Sequence, residues 1–168
     1  MNQLLIRPST EGDLHAITNI YSHHVRHSSA TFELEPPDYD EMAKRRATII
    51  AVAMPYLVAE RDGVVVGYAY VSPYRPRPAY RFTVEDSVYV DPDHLGRGIG
   101  RALLAALIER CEQGPWRQMI AVIGDSANEA SIRLHAHFGF RNVGTLFEVG
   151  FKFNRWLDTV LMQRELRP

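Results

Sequence analysis

A glycine-rich segment between an apolar strand and a helix constrains this chain more than any other part of its sequence. Residues 87–90 have the composition of a strand, residues 91–94 form a turn, and glycines follow at positions 96, 98 and 100. A helix pattern begins at Arg101. A helix start presents unpaired backbone N–H groups and a partial positive charge, and glycines let a pyrophosphate approach without meeting Cβ atoms. The segment therefore predicts a phosphate-binding loop.

The spacing of the glycines separates the known kinds of phosphate loop. A P-loop requires Gly-Lys-Ser/Thr, whereas this chain has Gly-Ile-Gly-Arg at residues 98–101. A dinucleotide loop requires G-x-G-x-x-G and an acidic residue about twenty positions later, whereas residues 120–122 are apolar. The segment resembles the acetyl-CoA loop of the GCN5-related N-acetyltransferases (GNAT), Arg/Gln-x-x-Gly-x-Gly/Ala. Gly98 and Gly100 match this pattern, and Leu95 replaces its first polar residue. The alternative is a tight glycine turn before an ordinary helix.

Length and charge narrow the class of protein. The chain has 168 residues, so we expect one domain over residues 1–168. The net charge of -1 gives no overall field that would attract nucleic acid or an anionic membrane. No stretch approaches the ~20 apolar residues of a membrane span, and no signal peptide is recognised, so the expected location is the cytoplasm. Cys111 falls in an apolar helix stripe, which predicts a packed thiol.

Apolar periodicity and turn residues predict the order of elements. The expected strands are 4–7, 56–61, 64–71, 82–90, 119–123, 143–151 and 155–164. The expected helices run from Thr10 to about His27, over 38–53, from the glycine loop to about Gln113, and from a capping box at 126–129 to about Phe138. Strict alternation in the fourth strand places Val84, Asp86 and Val88 on one face, and Glu85 and Tyr89 on the other.

A narrower resemblance covers nearly the whole chain. Its motifs are residues 83–90, residues 121–124 with Asn128, residues 131–135, and residues 150–152 with Trp156 and Asp158. These motifs look like those of the phosphinothricin and methionine sulfoximine acetyltransferases. The resemblance implies an α/β (α+β) GNAT fold, with a central mixed, mostly antiparallel, twisted sheet of about seven strands flanked by about four helices. It also implies acetyl-CoA as co-substrate, no metal, a small amino-acid-like acceptor and a homodimer.

The chemistry of acetyl transfer selects candidate catalytic residues. An alkyl ammonium with a pKa near ~10.4 needs a base at neutral pH, and Glu85 on the polar face of its strand is the candidate that the resemblance also implies. The resemblance implies that a backbone N–H of Val88 or Tyr89 stabilises the oxyanion. His135 occupies the position of a tyrosine that protonates the coenzyme thiolate in the wider family. It is either this acid or a hydrogen-bonded structural residue.

The coenzyme and acceptor sites implied by the resemblance involve more residues. Asn128 matches a coenzyme-binding asparagine, and otherwise it satisfies the backbone of its helix. The expected coenzyme-binding residues are Val88, Tyr89, Val90, Leu95, Gly96, Arg97, Gly98, Ile99, Gly100, Arg101 and Asn128. The expected substrate-binding residues are Arg75, Arg77, Lys152, Tyr80 and Phe32, where the cations would hold anionic groups of the acceptor.

Two other functions remain open from the sequence. One is the same chemistry on a polyamine, an aminoglycoside or a protein N-terminus, and the other is a non-catalytic module that binds acetyl-CoA. His23 and His27 share a helix face, but they lack the Glu of H-E-x-x-H and an obvious third ligand, so we expect a surface cluster or a dimer contact.

Overall fold

A computed structural model of the chain describes residues 3–167. The two ends of the expected domain, residues 1–2 and residue 168, lie outside this range. The described part contains seven strands and four α-helices, which confirms the expected GNAT architecture. The strands are β1 Leu4–Pro8, β2 Tyr56–Arg61, β3 Val64–Pro73, β4 Thr83–Val90, β5 Gln118–Gly124, β6 Arg141–Lys152 and β7 Arg155–Glu165. The helices are α1 Leu14–His27, α2 Tyr39–Ala51, α3 Ile99–Glu112 and α4 Glu129–His137.

The seven strands form one mixed sheet in the order β1-β2-β3-β4-β5-β7-β6. Neighbouring strands are antiparallel except for β4 and β5, which are parallel. Because β6 is the last strand of this order, no other strand of residues 3–167 pairs with its outer edge. The mixed, mostly antiparallel sheet expected above is confirmed.

The helices cover both faces of the sheet. Helix α3 buries Leu103, Leu104 and Leu107 in a core cluster that also contains Val84 of β4. Helix α1 contributes to a second cluster, against which Tyr89 of β4 packs. The two opposite faces of β4 therefore pack in different cores, which confirms the alternation predicted for this strand. None of the helices between residues 3 and 167 has both the length and the apolar composition of a membrane span.

The start of α4 corrects one prediction. The capping box expected at residues 126–129 is wrong, because Asn128 is the N-cap and its side-chain oxygen accepts a hydrogen bond from the amide of Ser131 at 3.2 Å. The hydroxyl of Ser126 instead donates to Asp158 at 2.7 Å. Asparagine and serine are both good caps, so local propensity could not choose between them.

Cys111 is the packed thiol that its place in an apolar stripe predicted. Its side chain is fully buried in the α3 cluster. Burial raises the pKa of the thiol to about 12, and the nearby charges of Asp86 and Glu112 act in the same direction. A thiol with so high a pKa is neutral and unreactive at physiological pH.

Candidate active site

The site lies where β4 and β5 part. The two strands pair only over Thr83–Asp86 and Gln118–Ala121. The rest of β4 remains paired with β3, and the rest of β5 remains paired with β7. A cavity of about 990 Å³ lies at this opening. Its lining includes Glu85, Val88, Tyr89, Val90, Asn128, Ser131, His135 and Phe32.

The hydrogen bonds at the two ends of β4 show which amides face the opening. The amide of Asp91 donates to the carbonyl of Val66 in β3 at 2.9 Å. The carbonyl of Phe82 instead accepts from the amides of Arg117 and Gln118, where β5 begins, at 2.9 and 3.4 Å. Because successive residues of a strand direct their backbone groups to opposite sides, odd-numbered residues of β4 face β3. The amide of Val88 therefore faces the opening, and that of Tyr89 faces β3. Of the two amides named above as candidate oxyanion donors, that of Val88 is the one directed at the opening.

The glycine loop surrounds the other end of the cavity. Gly96 and Gly98 have φ values of +73° and +77°, a region that favours glycine, and Gly98 is the N-cap of α3. A Cβ atom on either glycine would meet no heavy atom within 4 Å, so the backbone borders open space. The first amides of α3 have no partner within the helix. Among the expected loop residues, Leu95, Gly96, Gly98, Ile99, Gly100 and Arg101 line the cavity, and Arg97 does not.

Glu85 has the protonation properties of a base that works near neutral pH. Its carboxyl group is half-buried on the face of β4 opposite Asp86. Burial, and to a smaller extent the negative charge of Asp86, raise the pKa of Glu85 to about 7, although the positive charge of Arg75 partly opposes both effects. A pKa close to the working pH gives a group that both accepts and releases a proton readily.

His135 forms a buried pair with Asp86. Its Nε2 lies 2.8 Å from a carboxylate oxygen of Asp86, and its Nδ1 lies 2.7 Å from the carbonyl oxygen of Ser131. Burial alone lowers the pKa of His135, but the hydrogen bond and charge of Asp86 outweigh burial, so this pKa is raised. Both ring nitrogens thus face protein acceptors, and the ring itself packs edge-on against Phe140.

The side-chain oxygen of Asn128 makes a structural hydrogen bond at the start of α4. Its oxygen caps α4 by accepting the amide hydrogen of Ser131, as described above. Because Asn128 also lines the cavity, its NH₂ group is the part of the amide that the helix cap leaves for a ligand. The structural and the coenzyme-binding interpretations of Asn128 are therefore compatible.

A loop that we call the roof loop, residues 28–34, closes one side of the cavity. Lys152 is buried, and its ammonium donates to the carbonyls of Ser28 at 2.8 Å and Thr31 at 2.7 Å. The ring of Phe32 lies against Gly150, where an added Cβ would be 2.3 Å from the ring. Lys152 therefore holds the roof loop, and its ammonium is directed at backbone carbonyls instead of the cavity.

The remaining expected substrate residues lie outside the cavity lining. Arg75, Arg77 and Tyr80 belong to the connection between β3 and β4 and are exposed. The Arg75 guanidinium lies 5.1 Å from the ring centre of Tyr74, and Tyr74 packs edge-on against Tyr80. Of these three residues, Arg75 is the one whose charge acts on the pKa of Glu85.

Several residues of the site were not selected from the sequence. His24 lies 2.8 Å from the carbonyl of Val90 through its Nε2. Asp125 accepts hydrogen bonds from Ser29 of the roof loop at 3.0 Å and from Arg155 at 2.8 Å. A glycine inside a strand often marks a position where another group packs closely against the backbone. This signal at Gly150 could have located the position against which Phe32 packs.

The histidines of α1 form a cluster of rings. The ring centres of His23 and His27 are 4.8 Å apart, and those of His23 and His24 are 5.7 Å apart. Within residues 3–167, no group of three His, Cys, Asp or Glu side chains is arranged to hold a metal ion.

Comparison with known proteins places the chain in a protein family. The sequence profile of the Acetyltransferase (GNAT) family matches residues 17–140. A phosphinothricin N-acetyltransferase of Alcaligenes faecalis is 60% identical over 161 residues, which is 96% of this chain and 82% of that protein. An L-methionine sulfoximine/L-methionine sulfone acetyltransferase of Salmonella typhimurium is 41% identical, over 97% of this chain and 95% of that protein.

A solved structure shows the same fold with a coenzyme. The crystal structure of a GNAT superfamily phosphinothricin acetyltransferase from Sinorhizobium meliloti, in complex with acetyl-CoA, superposes with a TM-score of 0.94. It is 48% identical, and the match covers 96% of this chain and 88% of that one.

The packing of Phe32 against Gly150 can be tested by its effect on the stability of the protein. We expect Gly150→Ala to lower the free energy of unfolding by about 1–3 kcal/mol, because the new methyl group would overlap the Phe32 ring. Gly12→Ala is the control, since its Cβ would lie at an ordinary 3.6 Å from Thr10. Urea unfolding measures both variants. In the Phe32→Ala background, Gly150→Ala should cost much less, and equal costs in the two backgrounds would contradict the contact.

Proposed function

Since the chain belongs to the GNAT acetyltransferase family, we propose that it transfers the acetyl group of acetyl-CoA to the α-amino group of a small amino acid or analogue. Phosphinothricin and methionine sulfoximine or sulfone represent the acceptor class, because the relatives above carry these names. The observation that carries the proposal is the position of Glu85, with its pKa of about 7, in the same cavity as the inward-facing amide of Val88.

The proposed reaction is a direct transfer within a ternary complex. Glu85 accepts a proton from the ammonium group of the acceptor, directly or through water, and the resulting amine attacks the thioester carbonyl. The Val88 amide donates a hydrogen bond to the oxygen as it becomes negative, which requires a distance of about 2.7–3.1 Å. No acyl-enzyme is required, because the amine attacks the thioester carbonyl directly.

The residues present fit acetyl-CoA. The unpaired amides at the start of α3 and the glycine loop would hold the diphosphate, and the NH₂ group of Asn128 would bind the pantetheine arm. Leu95 replaces the polar residue of the family pattern, so we assign the diphosphate contact to the backbone.

The acceptor's anionic groups would be bound by arginine. Arg75 is the first candidate, because its charge already acts on Glu85, and Arg77 follows on the same connection. Phe32 of the roof loop and Tyr80 would form apolar contacts with the acceptor. We propose that Lys152 serves recognition only indirectly, by holding the roof loop in place.

We also propose that two copies of the chain associate through the outer β6–β7 hairpin. Large apolar side chains are exposed there, with Phe147 at 74% and Trp156 at 61%. A bulge between Leu146 and Gly150 interrupts the register of β6, which disfavours the simple addition of another strand. Side-chain packing between hairpins would instead bury this apolar surface. The exposed apolar residues of the hairpin are Val143, Leu146, Phe147, Val149, Phe151, Phe153 and Trp156.

Replacing the proposed base tests the mechanism. We expect Glu85→Gln to lower kcat by about 10²- to 10⁴-fold at pH 7, because glutamine cannot accept the proton. In the unchanged enzyme, kcat should fall as the pH drops through about 7, since the raised pKa protonates Glu85 there, and the variant should lose this step. Thiol release from acetyl-CoA measures both effects.

The control and the acceptor panel complete this test. Glu109→Gln, on the exposed side of α3, should leave the rate unchanged. The panel contains free amino acids, phosphinothricin, methionine sulfoximine, methionine sulfone and a polyamine. Equal activity of Glu85→Gln at pH 7 would remove Glu85 from the mechanism, and a preference for the polyamine would contradict the acceptor class.

A branched residue in the glycine loop tests the coenzyme site. We expect Gly98→Val to weaken acetyl-CoA binding by about tenfold or more in calorimetry, because it strains the loop and places a side chain before the α3 amides. Gly63→Val is the matched control, since Gly63 has a φ of +79° in the turn between β2 and β3. Both variants should lose stability, but unchanged affinity in Gly98→Val would contradict the proposed placement.

Sedimentation tests the association of two copies. The unchanged protein should sediment as a dimer at micromolar concentration, and Phe147→Lys should shift it toward a monomer because a charge would enter the apolar interface. Val64→Lys, at another exposed apolar position, should remain dimeric. A monomeric unchanged protein would refute this interface.

A further inference from the structure

Three polar side chains form a chain from the core to the cavity. Asp86 Oδ2 lies 2.8 Å from His135 Nε2, and His135 Nδ1 lies 3.4 Å from the hydroxyl of Ser131. All three residues border the cavity, but the side chains of Asp86 and His135 are only 2% and 5% exposed, whereas Ser131 is half-buried. We propose that Ser131 is a catalytic residue that passes a proton from the His135–Asp86 pair to the departing thiolate. This inference rests on the acetyl transfer proposed above.

The hydrogen-bond partners define where the protons are. A carbonyl oxygen only accepts, so the contact of His135 Nδ1 with the carbonyl of Ser131 at 2.7 Å requires a hydrogen on Nδ1. The carboxylate of Asp86 accepts from Nε2, and its other oxygen has no hydrogen-bond partner among residues 3–167. His135 is therefore the group that compensates the buried charge of Asp86, and the pair holds one mobile proton as an imidazolium.

The groups packed around the pair do not compete for this proton. Cys111 of α3 remains a neutral thiol, because burial and the nearby charge of Asp86 raise its pKa to about 12. Glu85 lies on the opposite face of β4 from Asp86. The ring of Phe140 covers one side of His135 and carries no charge.

The geometry explains why His135 would act through Ser131. Both ring nitrogens face protein acceptors, which leaves no ring N–H for the cavity. The Ser131 hydroxyl is the polar group that both lies next to Nδ1 and lines the cavity. The separation of 3.4 Å exceeds the 2.6–3.2 Å of a transfer-ready contact, but such contacts are often long without substrate.

The proposed step balances in atoms and charge. When the carbon–sulfur bond breaks, its electron pair stays on sulfur, and sulfur takes the hydroxyl proton of Ser131. Ser131 takes the Nδ1 proton of His135, which is then transiently neutral and still donates its Nε2 hydrogen to Asp86, until Nδ1 is protonated again. The amine has lost two protons through Glu85 to water, and His135 regains one from water. Overall, one proton is released and the coenzyme leaves as a thiol.

Removing and restoring one hydroxyl tests the relay. We expect Ser131→Ala to lower kcat for thiol release by about 10²-fold near pH 6.5, and Ser131→Thr to recover most of the rate. The thiol of the coenzyme has a pKa near ~8.5 by analogy with cysteine, so above this pH the thiolate leaves without a proton. The ratio of unchanged to Ser131→Ala rates should therefore shrink toward one as the pH rises to about 9.5.

The control distinguishes the relay from a structural role. Ser126→Ala removes a hydroxyl that binds Asp158 outside the cavity lining, and it should leave kcat unchanged at every pH. A loss in Ser131→Ala that is equal at all pH values, or no loss at any, would overturn the relay while the proposed function stands. An unchanged enzyme that releases no thiol with any amine would overturn the proposed function itself.

Discussion

The parting of β4 from β5 is the constraint on which the rest of the site depends. Two parallel strands that stop pairing leave backbone amides without partners, and buried amides require a partner. In this chain the separation begins after Asp86, so the inward amide of Val88 becomes available in a cavity lined by α3 and α4. A thioester carbonyl is a natural partner for that amide, and the glycine loop lies along the same cavity. The opening therefore links the fold to the proposed reaction.

Two neighbouring carboxyl groups acquire different roles because they lie on opposite faces of one strand. Asp86 points into the α3 and α4 side and is neutralised by His135. Glu85 points to the other side, has no comparable cation in contact, and has a pKa of about 7. The charge of Asp86 contributes to that raised pKa, so the two sides of the sheet are electrostatically coupled. We propose that one side removes protons from the acceptor while the other side supplies one to the thiolate.

Local patterns predicted the fold and the backbone part of the site, because both arise from short-range rules. The glycines at 96 and 98, the alternation of β4 and the apolar run of β5 are visible within a few residues. The role of Lys152 was not visible, because its partners at Ser28 and Thr31 are more than 120 positions away in the chain. The pairing of Asp86 with His135 also joins distant parts of the chain, 49 positions apart, and it decides how the imidazole is used. The start of α4 was misplaced because two good capping residues lie close together.

The most direct measurement is a crystal structure of the protein with acetyl-CoA. The account predicts diphosphate oxygens on the backbone amides between Leu95 and Arg101, with the thioester oxygen on the amide of Val88 and the sulfur beside the Ser131 hydroxyl. A coenzyme bound away from the opening between β4 and β5, or a thioester oxygen directed away from Val88, would contradict it.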